Sequence, residues 1–159
     1  KFVPPFSLGR MTWIKPSFLW MMERCGWATK PGQEYVLAVR ITRAGWEEAL
    51  ADARLSRDTT ATGSVVVQWD PERNVHGGKL AHRSIQVGLG RGIVSRYVDA
   101  WTTEIRDVTP LVKKLRGLRQ EGDWDRATAL LPRERPYPLP PEIRRRLGMQ
   151  DQPDDRAPE

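Results

Sequence analysis

The sequence has very few of the residues that build disulfide scaffolds and zinc modules, because its 159 residues include one cysteine and two histidines. The single thiol, Cys25, cannot close an internal disulfide, and a lone thiol is typical of a reducing compartment. So few sulfur and imidazole ligands predict no metal site. No apolar run approaches the roughly 20 residues that a membrane-spanning helix needs. We therefore expect a cytoplasmic protein without a membrane span.

Charge and aromatic content indicate a folded body with an anionic partner. Apolar residues make up 39% of the chain and include seven tryptophans, so a core can be buried within one domain. Basic residues outnumber acidic ones by 26 to 20, and residues 133–159 carry equal numbers of each. The whole positive excess therefore lies in residues 1–132. It favours an anionic small molecule or a nucleic acid as partner, although an ordinary solvated surface is the alternative.

Apolar periodicity and turn residues predict an α+β domain over residues 1–132. Helices are predicted over residues 16–25, Trp46–Leu55, Ile93–Trp101 and Thr109–Leu118, with a last one capped by Asp123. Strands are predicted over Val36–Ile41, Ser64–Trp69, His82–Leu89 and Thr103–Val108, with a long turn between Asp70 and Lys79. This order predicts a single domain with a central, mostly antiparallel sheet flanked by short helices.

Composition changes after residue 132. Six of the thirteen prolines lie in residues 133–159, together with six arginines. We expect a C-terminal tail that packs partly over the body and is otherwise disordered.

Two cations flank the first aromatic segment. Lys15 directly precedes the first predicted helix, whose free backbone N–H groups attract anions. Arg10 lies five residues earlier, near the other end of a strand predicted before that helix, and would be a second phosphate clamp, bidentate where a lysine is a point charge. The alternative is that Lys15 lies over tryptophan rings with its ammonium in water.

Polar residues also lie within or directly after the later predicted strands. In the alternation of the predicted strand, His82 and Gln86 share one face, as a site lining or as ordinary solvent-facing residues. Arg83 falls on the apolar face, where a half-buried guanidinium needs an anionic partner such as Asp70, Glu104 or a ligand phosphate. Asp70 follows a valine-rich strand and is either a base, a ribose ligand or the cap of a turn.

A glycine-rich run over residues 88–92 leads into a predicted helix. Such a run is either a phosphate-binding turn or a plain connector.

Several segments together resemble the domain of unknown function 4291 family over roughly residues 6–132. They are the runs Arg10 to Met22, Gly26-Trp27, Lys30 to Glu34, Val36–Ile41, Val67 to Pro71 and Arg83 to Leu89. The family name implies no activity.

The order of elements also has a much looser likeness to the ADP-ribosyltransferase fold. In that superfamily a cleft between two small sheets holds NAD, a residue of the first strand positions it, and a later acidic or amide residue acts on the ribose. The resemblance implies NAD as a cofactor, with Arg10 or Thr12 in the first role and Gln86 in the second.

Three functions follow as hypotheses. The first is a nucleotide- or phosphate-ester-handling enzyme, in which Arg10, Lys15 and Arg83 hold phosphates. Its catalytic residues would be Asp70, His82 or Gln86, acting at the sugar. The second is a non-catalytic RNA- or DNA-binding module that uses basic and aromatic side chains. The third is an interaction protein whose proline-rich tail is recognised by a partner.

Overall fold

Six strands and six helices follow one another in the computed structural model, which describes residues 2–60 and 62–149. The strands are β1 (Thr12–Ile14), β2 (Leu37–Ile41), β3 (Ala53–Leu55), β4 (Val65–Arg73), β5 (Lys79–Leu89) and β6 (Thr102–Asp107). The helices are α1 (Phe18–Cys25), α2 (Arg43–Ala51), α3 (Arg91–Arg96), α4 (Thr109–Glu121), α5 (Trp124–Leu130) and α6 (Pro141–Arg146). A π-helical turn over Tyr97–Trp101 continues α3. Among the described residues, no helix is long and apolar enough to cross a bilayer.

The strands form two sheets. The larger has the order β1-β5-β4-β3, with β3 parallel to β4 and the other pairs antiparallel. The smaller is the antiparallel pair β2-β6. The predicted α+β domain with a mostly antiparallel sheet is confirmed.

The two faces of the larger sheet differ in chemistry, because side chains alternate along each strand. One face carries Val65 and Val67 of β4 opposite Leu89 and Val87 of β5, and all four are fully buried in the main core. The other face carries the polar residues of the same two strands. A second core lies between α1, α4 and α5 and contains Met22, Cys25, Val112, Leu115 and Ala127.

Helix α1 begins and ends as the sequence indicates. Ser17 caps its first turn by accepting a hydrogen bond from the Trp20 N–H, and Gly26 ends it in the left-handed conformation. Met22 and Cys25 are fully buried, and Phe18, Leu19 and Met21 are partly buried against the second core.

The helix predicted over Trp46–Leu55 is two elements. Helix α2 ends at Ala51, and Ala53–Leu55 form β3, which pairs with the start of β4. This pairing joins residues that are distant in sequence, and local apolar spacing therefore does not reveal it.

Half of the turn predicted from Asp70 to Lys79 is strand. β4 continues to Arg73, and the chain reverses only between Asn74 and Gly78. Pro71 is tolerated because β3 covers only the first part of β4, which leaves β4 as an edge there.

The segment after residue 132 returns to the body. The Tyr137 hydroxyl donates a hydrogen bond to Glu47 (2.6 Å), and the Trp69 indole N–H donates one to the carbonyl of Leu147 (2.7 Å). Leu147 is fully buried. The division of the chain at residue 132 stays a prediction, and residues 150–159 of the predicted tail lie outside the described residues.

Gly45 is expected to be essential for packing α2 against the π-helical turn. A Cβ at Gly45 would lie 2.3 Å from Cγ of Trp101, whereas a Cβ at Gly117 in α4 would have no neighbour within 4 Å. We expect Gly45→Ala to lower the free energy of unfolding by about 1–3 kcal/mol. The control Gly117→Ala should raise it by about 0.5–1 kcal/mol. Urea unfolding checks both, and an unchanged stability for G45A would contradict the packing described.

Candidate functional site

The polar face of the larger sheet carries a hydrogen-bonded network. The Gln86 amide donates to Oε1 of Gln68 (3.1 Å) and to Oδ2 of Asp70. The Ser84 hydroxyl donates to Oε2 of Glu72. Gln86 therefore fixes the Asp70 carboxylate from the neighbouring strand.

A cleft opens at the edge of this network, between the C-terminal half of α1 and the hairpin of β4 and β5. Its volume is about 310 Å³, at the lower end of the range for small-molecule sites. It is lined by Trp20, Glu23, Arg24, Lys30, Asp70, Pro71, Arg73 and Lys79. Four cationic side chains thus share the cleft with two carboxylates.

The cations are held mainly by neutral groups. The Lys30 ammonium donates to the carbonyls of Glu23 (3.3 Å) and Arg24 (2.9 Å), which closes the C-terminal end of α1. Arg73 Nη1 donates to the carbonyl of Gly77 (3.1 Å) and lies 3.7 Å from the Glu23 carboxylate. Within the described residues, Arg73 Nε is the one buried side-chain nitrogen or oxygen that lacks a hydrogen-bond partner. The Arg73 guanidinium therefore keeps unused donor capacity.

Lys15 lies next to this cleft. Its Nζ sits 5.3 Å from the centre of the Trp20 ring, the cation–π position that the alternative interpretation described. Burial lowers the pKa of Lys15, the nearby Arg24 charge lowers it further, and Asp70 opposes both. The structure thus brings Lys15 into the electrostatic field of Asp70.

The chain itself fills the start of α1, the predicted anion position. The Phe18 N–H donates to Oε1 of Glu134 (2.7 Å), and the Trp20 N–H donates to the Ser17 hydroxyl (3.1 Å). Burial raises the pKa of the Glu134 carboxyl and Glu72 adds to the rise, whereas the hydrogen bond from Phe18 opposes it. The N-terminus of α1 is therefore already neutralised by a carboxylate.

The likeness to ADP-ribosyltransferases implied that Arg10 or Thr12 acts with Gln86 on one ligand, and the structure separates Thr12 from Gln86. Thr12 pairs with Leu89, three residues from Gln86 on β5, so Thr12 and Gln86 lie on opposite faces of the sheet. Arg10 is exposed in the turn before β1 rather than within that strand. Thr12 therefore does not face Gln86 across a site.

Arg83 and His82 lie outside the cleft. Arg83 is exposed, so its expected half-burial is wrong, and its Nη1 donates to the carbonyl of Trp69 (3.1 Å) rather than to Asp70 or Glu104. Alternation places Asp70, opposite Ser84, on the other face of the sheet. His82 shares the face of Gln86 but is exposed.

The glycine-rich run serves close packing. A Cβ at Gly88 would lie 2.8 Å from Met11 Sδ, and one at Gly90 would lie 2.6 Å from the Ser64 carbonyl oxygen. Gly90 also donates its N–H to that oxygen. These glycines allow two chain segments to approach, as a connector requires.

Sequence reasoning missed most of the cleft. Arg73 and Lys79 fell within the predicted turn, and Arg24 and Lys30 had no assigned role. The alternation of Gln68, Asp70 and Glu72 with apolar neighbours is the signal that β4 extends past Trp69.

Comparisons with known proteins give a family and no activity. The sequence profile of the family described as Domain of unknown function (DUF4291) matches residues 1–137. No curated protein and no solved structure matches the chain. The looser likeness to ADP-ribosyltransferases therefore receives no support.

Glu134→Gln tests the environment of the carboxyl group at α1. Because the pKa is raised in the folded chain, the contribution of this group to stability is fully present below its ordinary pKa of 4.5 and is lost as the pH rises through the folded-state value. Glutamine keeps the acceptor for the Phe18 N–H without the charge. We expect the Tm of E134Q, relative to wild type, to increase between about pH 4 and pH 7.

The control E121Q removes an exposed carboxylate at the end of α4 and so measures the general effect of removing a negative charge. A difference in Tm between E134Q and wild type that does not change with pH, or that equals the E121Q difference, would contradict the prediction.

Proposed function

The chain belongs to the DUF4291 family, and we propose that the cleft between α1 and the β4–β5 hairpin binds a phosphate ester, with nucleotides as the favoured class. The observation that carries the proposal is the imbalance of charge in one cleft, where four cationic side chains share the walls with two carboxylates. Excess positive charge in a partly desolvated concave site attracts an anion more strongly than an open surface does.

The cations have the chemistry that a phosphate group needs. Among the ion pairs of the described residues, none involves Arg24, Lys30 or Lys79. Arg73 lies 3.7 Å from the Glu23 carboxylate. A guanidinium binds two phosphate oxygens in parallel, whereas an ammonium acts as a point charge. The Arg73 guanidinium, whose described side-chain hydrogen bond goes to the neutral carbonyl of Gly77, therefore supports a phosphate near the hairpin.

The other walls favour a nucleotide over a simple phosphate. Trp20 contributes a ring on which a base can stack. Asp70, held by Gln86, is a fixed acceptor for a sugar hydroxyl, and it is the residue best suited to take a proton there. The proposal gives Asp70 and Gln86 one shared role, in which Gln86 positions Asp70 through its amide.

Binding to the wild-type protein is the first test of this function. ADP, NAD and pyrophosphate would be titrated into the protein and followed by calorimetry and by the assigned Trp20 indole N–H resonance. We expect ADP to bind and to shift that resonance.

Arg24→Ala and Lys79→Ala should each weaken ADP binding about three- to tenfold, since each removes one charge from the cleft wall. The matched control is K114A. Lys114 is exposed on α4, so this substitution removes one positive charge outside the cleft. Absence of ADP binding at millimolar concentration, or equally weakened binding in K114A and K79A, would overturn the proposal.

Asp70→Asn separates recognition of the sugar from recognition of phosphate. The variant should weaken ADP about three- to tenfold through removal of the carboxylate acceptor, and it should leave pyrophosphate binding unchanged or stronger. Parallel weakening for both probes would show that Asp70 acts through the fold of the cleft rather than on the sugar.

A further inference from the structure

A second cleft lies beside the first, on the far side of the end of α1. Its volume is about 330 Å³, and its walls come from the turn after α1, from one side of α4 and from the start of α5. It is lined by Gly26, Trp27, Thr29, Arg116, Arg119, Gln120 and Trp124. None of these lining residues was assigned a role in ligand binding by the sequence.

Its two arginines are held in place by neutral main-chain groups. Arg116 Nη1 donates to the carbonyl of Trp27 (3.1 Å), and Arg119 Nε donates to the carbonyl of Val75 (2.9 Å). One carbonyl takes one of the five N–H donors of a guanidinium and does not neutralise its charge. Burial lowers the pKa of Arg119, opposed by the charge of Glu23, and that same carboxylate also lies 3.7 Å from Arg73. The two guanidinium groups are thus fixed, partly desolvated and short of negative charge.

The same cleft contains a row of planar groups. The Arg119 guanidinium carbon lies 4.1 Å from the centre of the Trp27 ring and 5.9 Å from that of Trp124. The centre of the His76 ring is 4.2 Å from that of Trp124. Guanidinium planes and aromatic rings are the surfaces on which proteins stack unpaired bases.

The two clefts are adjacent at the hairpin turn. Glu23 lines the first cleft and is the charged neighbour of Arg119 in the second. A Cβ at Gly77 would lie 3.8 Å from Glu23 Oε2 and 3.9 Å from Arg119 Nη2. Thr29 lines the second cleft and the adjacent Lys30 lines the first. A ligand with several phosphates in a row can therefore contact both clefts, whereas one mononucleotide occupies only one.

We propose that the two clefts form one track for single-stranded nucleic acid, in which the Arg116–Arg119 cleft binds the nucleotide next to the one held beside Trp20. The inference rests on the proposed phosphate-ester site and extends its ligand from a nucleotide to an oligonucleotide. A duplex does not fit this role, because paired bases keep their faces stacked inside the helix and away from Trp124 and Arg119.

Two variants test the second cleft without touching the first. Gln120→Glu adds a negative charge at an exposed position, and Arg119→Lys keeps the charge but removes the planar fork. Lys114→Ala is the control, because it changes the net charge by the same amount as Q120E. It lies about 200° around α4 from Arg116 and about 140° from Arg119. Circular dichroism and Tm verify that each variant is folded.

The measurement is fluorescence anisotropy of a labelled oligouridylate of about ten nucleotides, with ADP calorimetry on the same proteins. We expect Q120E and R119K to weaken oligouridylate binding about tenfold relative to K114A and to change ADP affinity less than twofold. The slope of log K against log salt concentration should become shallower by about 0.7 for each phosphate that a variant no longer binds.

The outcomes separate the two proposals. ADP binding without oligouridylate binding, or equal oligouridylate affinities for Q120E and K114A, overturns the track and leaves the nucleotide site standing. Tighter binding of the oligouridylate paired with its complementary strand than of the single strand also overturns the track. If the wild-type protein binds neither ligand, the track is overturned together with the function on which it rests.

Discussion

The antiparallel pairing of β4 with β5 is the constraint on which the rest of the structure depends. Its register runs from Val65 opposite Leu89 to Pro71 opposite Arg83, and a shift of one residue would turn the apolar side chains of one strand to the face that carries the polar side chains of the other. The register is fixed because one face carries the buried valine and leucine side chains of the main core. The same register places Gln86 beside Asp70, so the core determines the geometry of the polar network.

The end of α1 connects this sheet to both clefts. Gly26, Trp27 and Ala28 are consecutive left-handed residues, with φ of 57°, 55° and 61°. Non-glycine residues in that region cost of order 1 kcal/mol each, and they persist where surrounding contacts determine the backbone. Arg116 holds the Trp27 carbonyl and Lys30 holds the last carbonyls of α1. The strained turn thus presents the Trp27 ring to one cleft and the Lys30 stem to the other.

Local sequence patterns predict those helices and strands whose formation depends on residues adjacent in the sequence. Helix α1 between Ser17 and Gly26, the Asp123 cap of α5 and the alternation of β5 all follow from short-range rules of capping and periodicity. The pairing of β3 with β4 does not, because it joins residues across a loop. The cleft has the same origin, since Arg73 and Arg24 come together only when the hairpin folds against the end of α1.

The expectation for Arg83 failed for a physical reason that also explains the cleft. A guanidinium on an apolar face need not be buried if the strand end reaches the edge of the core, where a backbone carbonyl such as that of Trp69 satisfies it. Two cations beside the clefts show the opposite situation. Lys15 and Arg119 are partly desolvated cations, and neither forms an ion pair among those described. In the unliganded chain, desolvation disfavours both charges, and the like charge of Arg24 adds to this at Lys15, whereas Asp70 opposes it at Lys15 and Glu23 opposes it at Arg119. An anion that binds only the folded chain relieves both effects and stabilises it, so the desolvation of these cations makes the clefts better suited to an anion than an equally charged open surface.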